Sequence, residues 1–150
     1  MRAFTILVLL CGVTMGVVAA QTLQKVNPPG LSTPQTYTHV VRAGNLVFVA
    51  GQVASDAQGK VVGPGMREQT EQVLKNLQTA LASQKLDFSH VAKITVFTTS
   101  IDEFRAEDVA ALRARYFGAA RPASTLVQVS RLASPDFKIE IEAVAVIPER

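Results

Sequence analysis

Residues 121–146 read RPASTLVQVSRLASPDFKIEIEAVAV, and they predict two β-strands joined by a loop. Residues 125–132 are rich in β-branched and apolar side chains, and Ser134-Pro135-Asp136 has the composition of a turn. Residues 138–146 alternate between polar and apolar side chains at first and then become wholly apolar. Successive side chains of a strand point to opposite faces, so Glu140 and Glu142 share one face, for which solvation is the simplest interpretation.

Upstream of this stretch, strand-like and helical segments follow one another. Three segments have the composition of strands, the first two joined as a hairpin: residues 37–42, 46–53 and 91–98. Residues 66–84 predict an amphipathic helix. Ser100 and Glu103 have the spacing of a capping box, which predicts a second helix that ends at Gly118. This order is typical of an α+β domain with two helices on one face of a mixed sheet.

The opposite face of such a sheet has no helix to cover it. It must therefore face water or partner subunits, because each layer of a domain has to bury its apolar side against something. Tyr37, Phe48 and Val144 are the candidates for this second face.

The N-terminus has the pattern of an export signal. Arg2 supplies a positive charge, residues 4–18 are apolar, and the tripeptide VAA at 18–20 matches a small-residue cleavage site. The apolar run is too short for a span of roughly 20 residues. We therefore expect residues 1–20 to be a signal peptide and residues 21–150 to be one domain. The mature chain should be exported to the periplasm or secreted, without stable membrane insertion.

Charge and cysteine content argue against several classes of function. The net charge is +3, and it falls to +2 (3 − 1) when Arg2 is removed with the signal. This excess of positive charge is too small to indicate binding to a polyanion such as a nucleic acid. The only cysteine, Cys11, leaves with the signal, so the mature domain has no disulfide and no thiol nucleophile. His39 and His90 lack zinc-ligand spacing, and we expect His39 to be a hydrogen-bonded surface histidine. We predict no metal, no cofactor and no nucleic-acid partner.

Several motifs of the chain match one known family in order and spacing. The closing motif comprises Pro122-Ala123, Val127-x-Val129-x-Arg131-Leu132 and Ile139-Glu140-Ile141-Glu142-Ala143; upstream matches are Gly44-Asn45-Leu46-Val47-Phe48 and Ala50-Gly51-Gln52. The pattern resembles the Rid family, also called YjgF, which includes the reactive intermediate deaminases. The resemblance implies the chorismate-mutase-like fold, a homotrimer with ligand clefts between subunits, and hydrolysis of enamines and imines released by pyridoxal-phosphate enzymes.

The resemblance also implies roles for individual residues. Active members carry a carboxylate-binding arginine directly after the Pro-Ala pair, where this chain has Ser124. Glu140 matches a glutamate that positions or activates the attacking water, and Tyr37 matches a pocket tyrosine. Thr125 and Ser124 offer hydroxyl groups to a ligand, and Arg121 offers a charge from a shifted position. Three pocket positions that are polar or small in the family are apolar here: Ala50, Leu126 and Ala110.

Two functions remain open at this level. In the first, the chain binds a small metabolite in the clefts between subunits without turnover, because the family's arginine is missing. In the second, it is a hydrolase like 2-iminobutanoate/2-iminopropanoate deaminase with a changed substrate, in which Glu140 orients the water. A nucleic-acid-associated activity is disfavoured, because no basic stripe interleaved with aromatic residues is present.

Overall fold

A computed structural model describes residues 22–149, and the predicted signal peptide with Cys11 lies outside this range. The described residues form six β-strands and three α-helices. In chain order they are β1 Gln24–Val26, β2 Val40–Ala43, β3 Leu46–Val53, α1 Met66–Ala82, β4 Val91–Thr98, α2 Ile101–Arg105, α3 Glu107–Phe117, β5 Ala123–Gln128 and β6 Ile139–Val146. No helix in this part of the chain is long and apolar enough to cross a lipid bilayer.

The six strands form one mixed sheet in the order β1-β2-β3-β6-β4-β5. β4 and β5 are parallel, and every other neighbouring pair is antiparallel. A parallel pair needs a long crossover connection, which α2 and α3 provide. β6, the last strand of the chain, therefore lies at the centre of the sheet. The predicted α+β class and mixed sheet are confirmed.

The second predicted helix is interrupted at Ala106, so the sheet carries three helices and not two. Ser100 caps α2 as predicted, because its hydroxyl accepts a hydrogen bond from the Glu103 amide at 3.2 Å. Ala106 has extended backbone angles and separates α2 from α3. In a continuous helix, Phe104 and Val109 would point about 140° apart. The break lets both side chains become buried.

The apolar stripe of α1 packs on one face of the sheet. Val73, Leu74, Leu77 and Leu81 are at most 1 % exposed, and α1 contacts β3 and β6. The alternate residues of β6 meet them: Ile139, Ile141, Ala143 and Ala145. Each fully buried leucine contributes about 1.5–3 kcal/mol to stability. This burial fixes which face of β6 is left for Glu140 and Glu142.

The other face of the sheet, called the open face below, carries exposed apolar side chains. Phe48 pairs with Val144 across β3 and β6, as predicted for this face. Phe48 is 43 % exposed, and Leu46 and Val127 are each 38 % exposed. Tyr37 differs from the prediction, since it lies in the loop before β2 and not in a strand. Single scattered apolar residues are common on surfaces, but a set that shares one sheet face indicates an interaction surface.

Candidate functional site

A β-bulge in β3 shapes the surroundings of Glu140. Between the paired positions Val49 and Gln52, two residues of β3 lie opposite one residue of β6. These two residues are Ala50 and Gly51. The missing side chain of Gly51 leaves room for the Glu140 carboxylate, because a Cβ atom added to Gly51 would overlap with Oε1 of Glu140.

A buried histidine and glutamine hold the bulge in place. Gln52 Nε2 donates to the carbonyl oxygen of Ala50 at 2.8 Å and lies 3.1 Å from Nδ1 of His39. Nε2 of His39 lies 2.8 Å from the carbonyl oxygen of Ser32. A carbonyl only accepts and an amide nitrogen only donates, so this network assigns the proton of a neutral His39 to Nε2. The ring of Tyr37 packs edge-on against His39, with 5.5 Å between ring centroids.

The expectation that His39 lies on the surface is wrong. His39 is only 4 % exposed and Gln52 only 2 %. His39 directly precedes β2, and the backbone of Ala50 donates to the His39 carbonyl oxygen at 2.9 Å. Its ring lies between the carbonyl oxygen of Ser32 and the amide of Gln52. Sequence reasoning did not assign roles to His39 and Gln52, although Gln52 belongs to the Ala50-Gly51-Gln52 motif that carried the resemblance.

Glu140 is a half-buried carboxylate on the open face. It lies between Val53 of β3 and Phe97 of β4, its paired neighbours in the sheet. Within residues 22–149 the Glu140 carboxylate has neither a hydrogen-bond partner nor an ion pair. Burial raises the pKa of Glu140, and the negative charge of Glu142 raises this pKa further. A carboxyl group with a raised pKa is suited to exchange protons nearer to neutral pH.

The predicted site residues of β5 divide between the two faces of the sheet. Thr125 pairs with Thr95, which in turn pairs with Glu142 on the open face. Ser124 and Leu126 lie on the opposite, helix-covered face, because their partners in β4 are core residues. Ser124 is nevertheless exposed, since β5 is the edge strand.

A single chain does not bring all the predicted site residues together. Tyr37, Ala50 and Glu140 gather around the bulge. The other predicted residues lie on or just before β5: Arg121, Ser124, Thr125 and Leu126. β6 and β5 are separated by one intervening strand, hence by about 10 Å. Within one chain the two groups are therefore separate.

One concave surface of the chain lies beside the bulge. A groove of about 270 Å³ on the open face is lined by residues that include Phe48, Ala50, Glu142 and Val144. A larger concavity of about 680 Å³ lies beyond the opposite end of β6, near residues 147–149. It is remote from Glu140 and does not belong to the predicted site. Among the residues placed by the structure, no three His, Cys, Asp or Glu side chains form a metal-binding group.

The chain is similar to characterised proteins over most of its length. Residues 30–147 match the family described as Endoribonuclease L-PSP. Human 2-iminobutanoate/2-iminopropanoate deaminase is 34 % identical over 119 residues, which cover 79 % of this chain and 83 % of the human protein. The chloroplastic Reactive Intermediate Deaminase A of Arabidopsis thaliana is 37 % identical over 112 residues, covering 74 % of this chain and 58 % of the plant protein.

Solved structures show the same fold. The structure of E. coli TdcF with bound serine has a TM-score of 0.73 and 26 % sequence identity, and the match covers 83 % of this chain and 98 % of TdcF. The matched family region, residues 30–147, includes all the predicted site residues named above. The chain therefore belongs to the Endoribonuclease L-PSP family, also called the YjgF or Rid family.

Proposed function

We propose that this chain hydrolyses the C=N bond of small imines and of their enamine tautomers. The reaction adds one water molecule and releases one ammonia and one carbonyl product. The observation that carries the proposal is the Glu140 carboxylate, which is half-buried, has a raised pKa and lies beside the space left by Gly51. Two relatives that are 34 % and 37 % identical are named as deaminases, which supports the same reaction.

Glu140 has the properties that this chemistry needs. In its ionised form it accepts a proton from the water that attacks the imine carbon, and in its protonated form it returns the proton to the departing nitrogen. Such positioned proton transfer typically contributes a factor of about 10²–10⁴. The nearby charge of Glu142 favours the protonated form of Glu140, so the two carboxyl groups differ in their readiness to release a proton.

We also propose that the site is completed in a homotrimer. The exposed apolar residues of the open face, Leu46, Phe48 and Val127, would be covered by neighbouring copies. Thr125, which lies on the open face of the edge strand β5, would then face Tyr37, Ala50 and Glu140 of the next copy. Export to the periplasm or the medium, directed by residues 1–20, is part of the same proposal.

A second candidate is binding of a small metabolite without turnover. It is favoured by Ser124, which follows the Pro-Ala pair at the position where active family members carry arginine, and by the apolar Ala50 beside the bulge. A hydroxyl group does not reproduce the two-pronged contact that a guanidinium makes with a carboxylate. In this case Glu140 would bind the ligand without transferring a proton.

An ammonia-release assay separates the two candidates. The mature chain is mixed with freshly generated 2-iminobutanoate and, separately, with an imine of similar size that lacks a carboxylate. Glu140→Gln should abolish the acceleration, whereas Glu142→Gln, a change of the same type two residues away, should retain most of it. If the wild-type chain does not accelerate release from either imine but binds 2-oxobutanoate, the binding function replaces the hydrolase.

A further inference from the structure

The side-chain amide of Gln52 has two partners that require the same nitrogen atom. Nε2 of Gln52 donates to the carbonyl oxygen of Ala50 at 2.8 Å, and it lies 3.1 Å from Nδ1 of His39. A carbonyl oxygen only accepts hydrogen bonds, whereas a ring nitrogen of histidine accepts when it is bare and donates when it carries a proton. The orientation of the Gln52 amide therefore depends on Ala50 and on His39 together.

The hydrogen bond between Gln52 and Ala50 closes a ring around Gly51. The two residues flank Gly51 in the chain, so the bond ties the backbone on one side of Gly51 to the side chain on its other side. Gly51 is the residue whose missing side chain leaves room for the Glu140 carboxylate. A group that keeps this ring closed therefore also influences the position of the Glu140 carboxylate.

Protonation of His39 would place conflicting demands on the Gln52 amide. In the neutral ring the proton lies on Nε2, which donates to the carbonyl oxygen of Ser32 at 2.8 Å, and the bare Nδ1 accepts from Gln52. A second proton, on Nδ1, turns this atom into a donor, which then requires Oε1 of Gln52. One end of an amide cannot present nitrogen to Ala50 and oxygen to His39. The protonated ring therefore favours rotation of the amide and loss of its bond to Ala50.

The groups that contact the His39 ring are uncharged. Residues 27–36 and strand β3 contain no charged side chain. The titratable group that packs against the ring is the phenol of Tyr37, with 5.5 Å between the ring centroids. The neighbouring strands β1, β2 and β6 carry four charged side chains, none of which is hydrogen-bonded to the ring: Lys25, Arg42, Glu140 and Glu142. The protonation state of His39 therefore acts on the bulge through its hydrogen bond with Gln52.

We propose that His39 is a positioning residue for imine hydrolysis, and that its neutral form keeps the Gln52 amide bonded to Ala50 and the Glu140 carboxylate in its working position. The inference rests on the proposed function, since it concerns the same carboxylate. His39 itself does not touch the substrate. Its protonation lowers kcat by displacing Glu140, and it leaves KM nearly unchanged because Phe48 and Val144 of the groove stay in place.

The first test compares the pH dependence of kcat in three proteins. His39→Asn places an amide oxygen near the position of Nδ1, so the variant still accepts from Gln52 but does not titrate. Relative to this variant, kcat of the wild-type mature chain should fall in proportion to the protonated fraction of His39, which the Cε1–H NMR signal of the ring measures. His90→Asn makes the same change at the only other histidine of the chain and should reproduce the wild-type profile. Identical profiles for the wild type and His39→Asn, over a range in which His39 becomes protonated, would overturn the inference.

The second test changes the acceptor at constant pH. His39→Leu has a side chain of similar size that offers no acceptor to Gln52. At about pH 8, where an ordinary histidine is neutral, it should lower kcat at least about fivefold and change KM by less than about twofold. His39→Asn should retain most of the wild-type kcat under the same conditions. Full activity in His39→Leu, or an equal loss in both variants, would refute the role of the acceptor.

The inference and the proposed function fail in different ways. The backbone amide of Gly51 and the side-chain amide of Gln52 give NMR signals that should shift with the same midpoint as the His39 ring in the absence of any substrate. If imines are hydrolysed and these signals do not follow His39, the hydrolase stands and the positioning role is refuted. If the signals follow His39 but no imine is hydrolysed, His39 controls the shape of the bulge in a protein without deaminase activity.

Discussion

The carboxylate of Glu140 lies where a side chain of Gly51 would be, so the two residues compete for one space. Gly51 belongs to the bulge of β3, and Glu140 lies on the neighbouring strand β6. The bulge and the carboxylate therefore form one structural unit. Any substitution that adds volume at residue 51 should displace the Glu140 carboxylate while leaving the carboxyl group itself unchanged.

Gly51→Ala should lower imine hydrolysis by at least tenfold with little loss of stability. The added methyl group displaces the Glu140 carboxylate from its place beside the bulge, and an error of about 1 Å in position can cost a factor of 100 in rate. Gly65→Ala is the matched control, because it has an extended backbone and its added Cβ meets the end of the exposed Glu68 side chain. Unchanged kcat/KM in Gly51→Ala would contradict the role assigned to this space.

Glu140→Gln should raise the Tm of the fold at about pH 7. The pKa of Glu140 is raised on folding, so the folded state holds this proton more tightly than the unfolded chain. The stabilising effect of the proton is present at low pH and is lost as the pH rises through the folded pKa. The gain in Tm should therefore shrink towards zero near pH 3, where both states are protonated. A variant that is less stable at neutral pH would show that Glu140 has a structural partner.

Glu142→Gln should shift the pH dependence of kcat/KM and not its maximum. The charge of Glu142 contributes to the raised pKa of Glu140. Its removal lowers that pKa, so the acidic limb of the profile should move to lower pH. Removing the Glu142 charge should reverse less than half of the rise in the pKa of Glu140, because burial is the larger cause of that rise. Identical acidic limbs in the two proteins would exclude electrostatic coupling between these carboxyl groups.

Gln52→Met should cost about 2 kcal/mol of unfolding free energy. The change removes the amide that donates to Ala50 and approaches His39, and it leaves buried acceptors without a donor. Gln78→Met, on the exposed side of α1, should change stability by less than about 0.5 kcal/mol. Urea denaturation measures both values. Equal midpoints for the two variants would show that the Gln52 amide is not needed to hold the bulge.

Phe48→Glu should dissociate the proposed homotrimer. A charge introduced on the open face would be buried without a partner between copies, which costs about 3 kcal/mol or more. Sedimentation should then report monomers at concentrations where the wild type sediments as trimers. Gln78→Glu adds the same charge on the helix side and should leave the mass unchanged. A monomeric wild type would refute the assembly and, with it, the shared cleft.

The sequence predicted the parts of the fold that rest on periodicity. The stripe of α1 and the alternation in β6 were assigned correctly, because burial on one face imposes a fixed spacing of apolar residues. The break at Ala106 was not predicted, since alanine is a good helix former and only the joint burial of Phe104 and Val109 demands it. Propensity carries no information about such tertiary requirements.

Only those residues of the candidate site that belong to a family motif could be predicted from the sequence. Glu140 and Ala50 came from the family pattern and lie together at the bulge. The sequence did not predict the distance between Ser124 and Glu140. The two residues lie on different strands and on opposite faces of the sheet.

The central place of β6 has a consequence for the order of events during synthesis. β3 and β4 do not pair with each other; each pairs with β6, which ends only at Val146. A chain emerging from the ribosome therefore cannot assemble its sheet until almost its last residue has been added, because the two halves have no common strand before then. Nascent chains of this protein should therefore remain unfolded and accessible to chaperones throughout translation. Loss of the final ten residues should abolish folding, because it removes most of a central strand and not an edge strand.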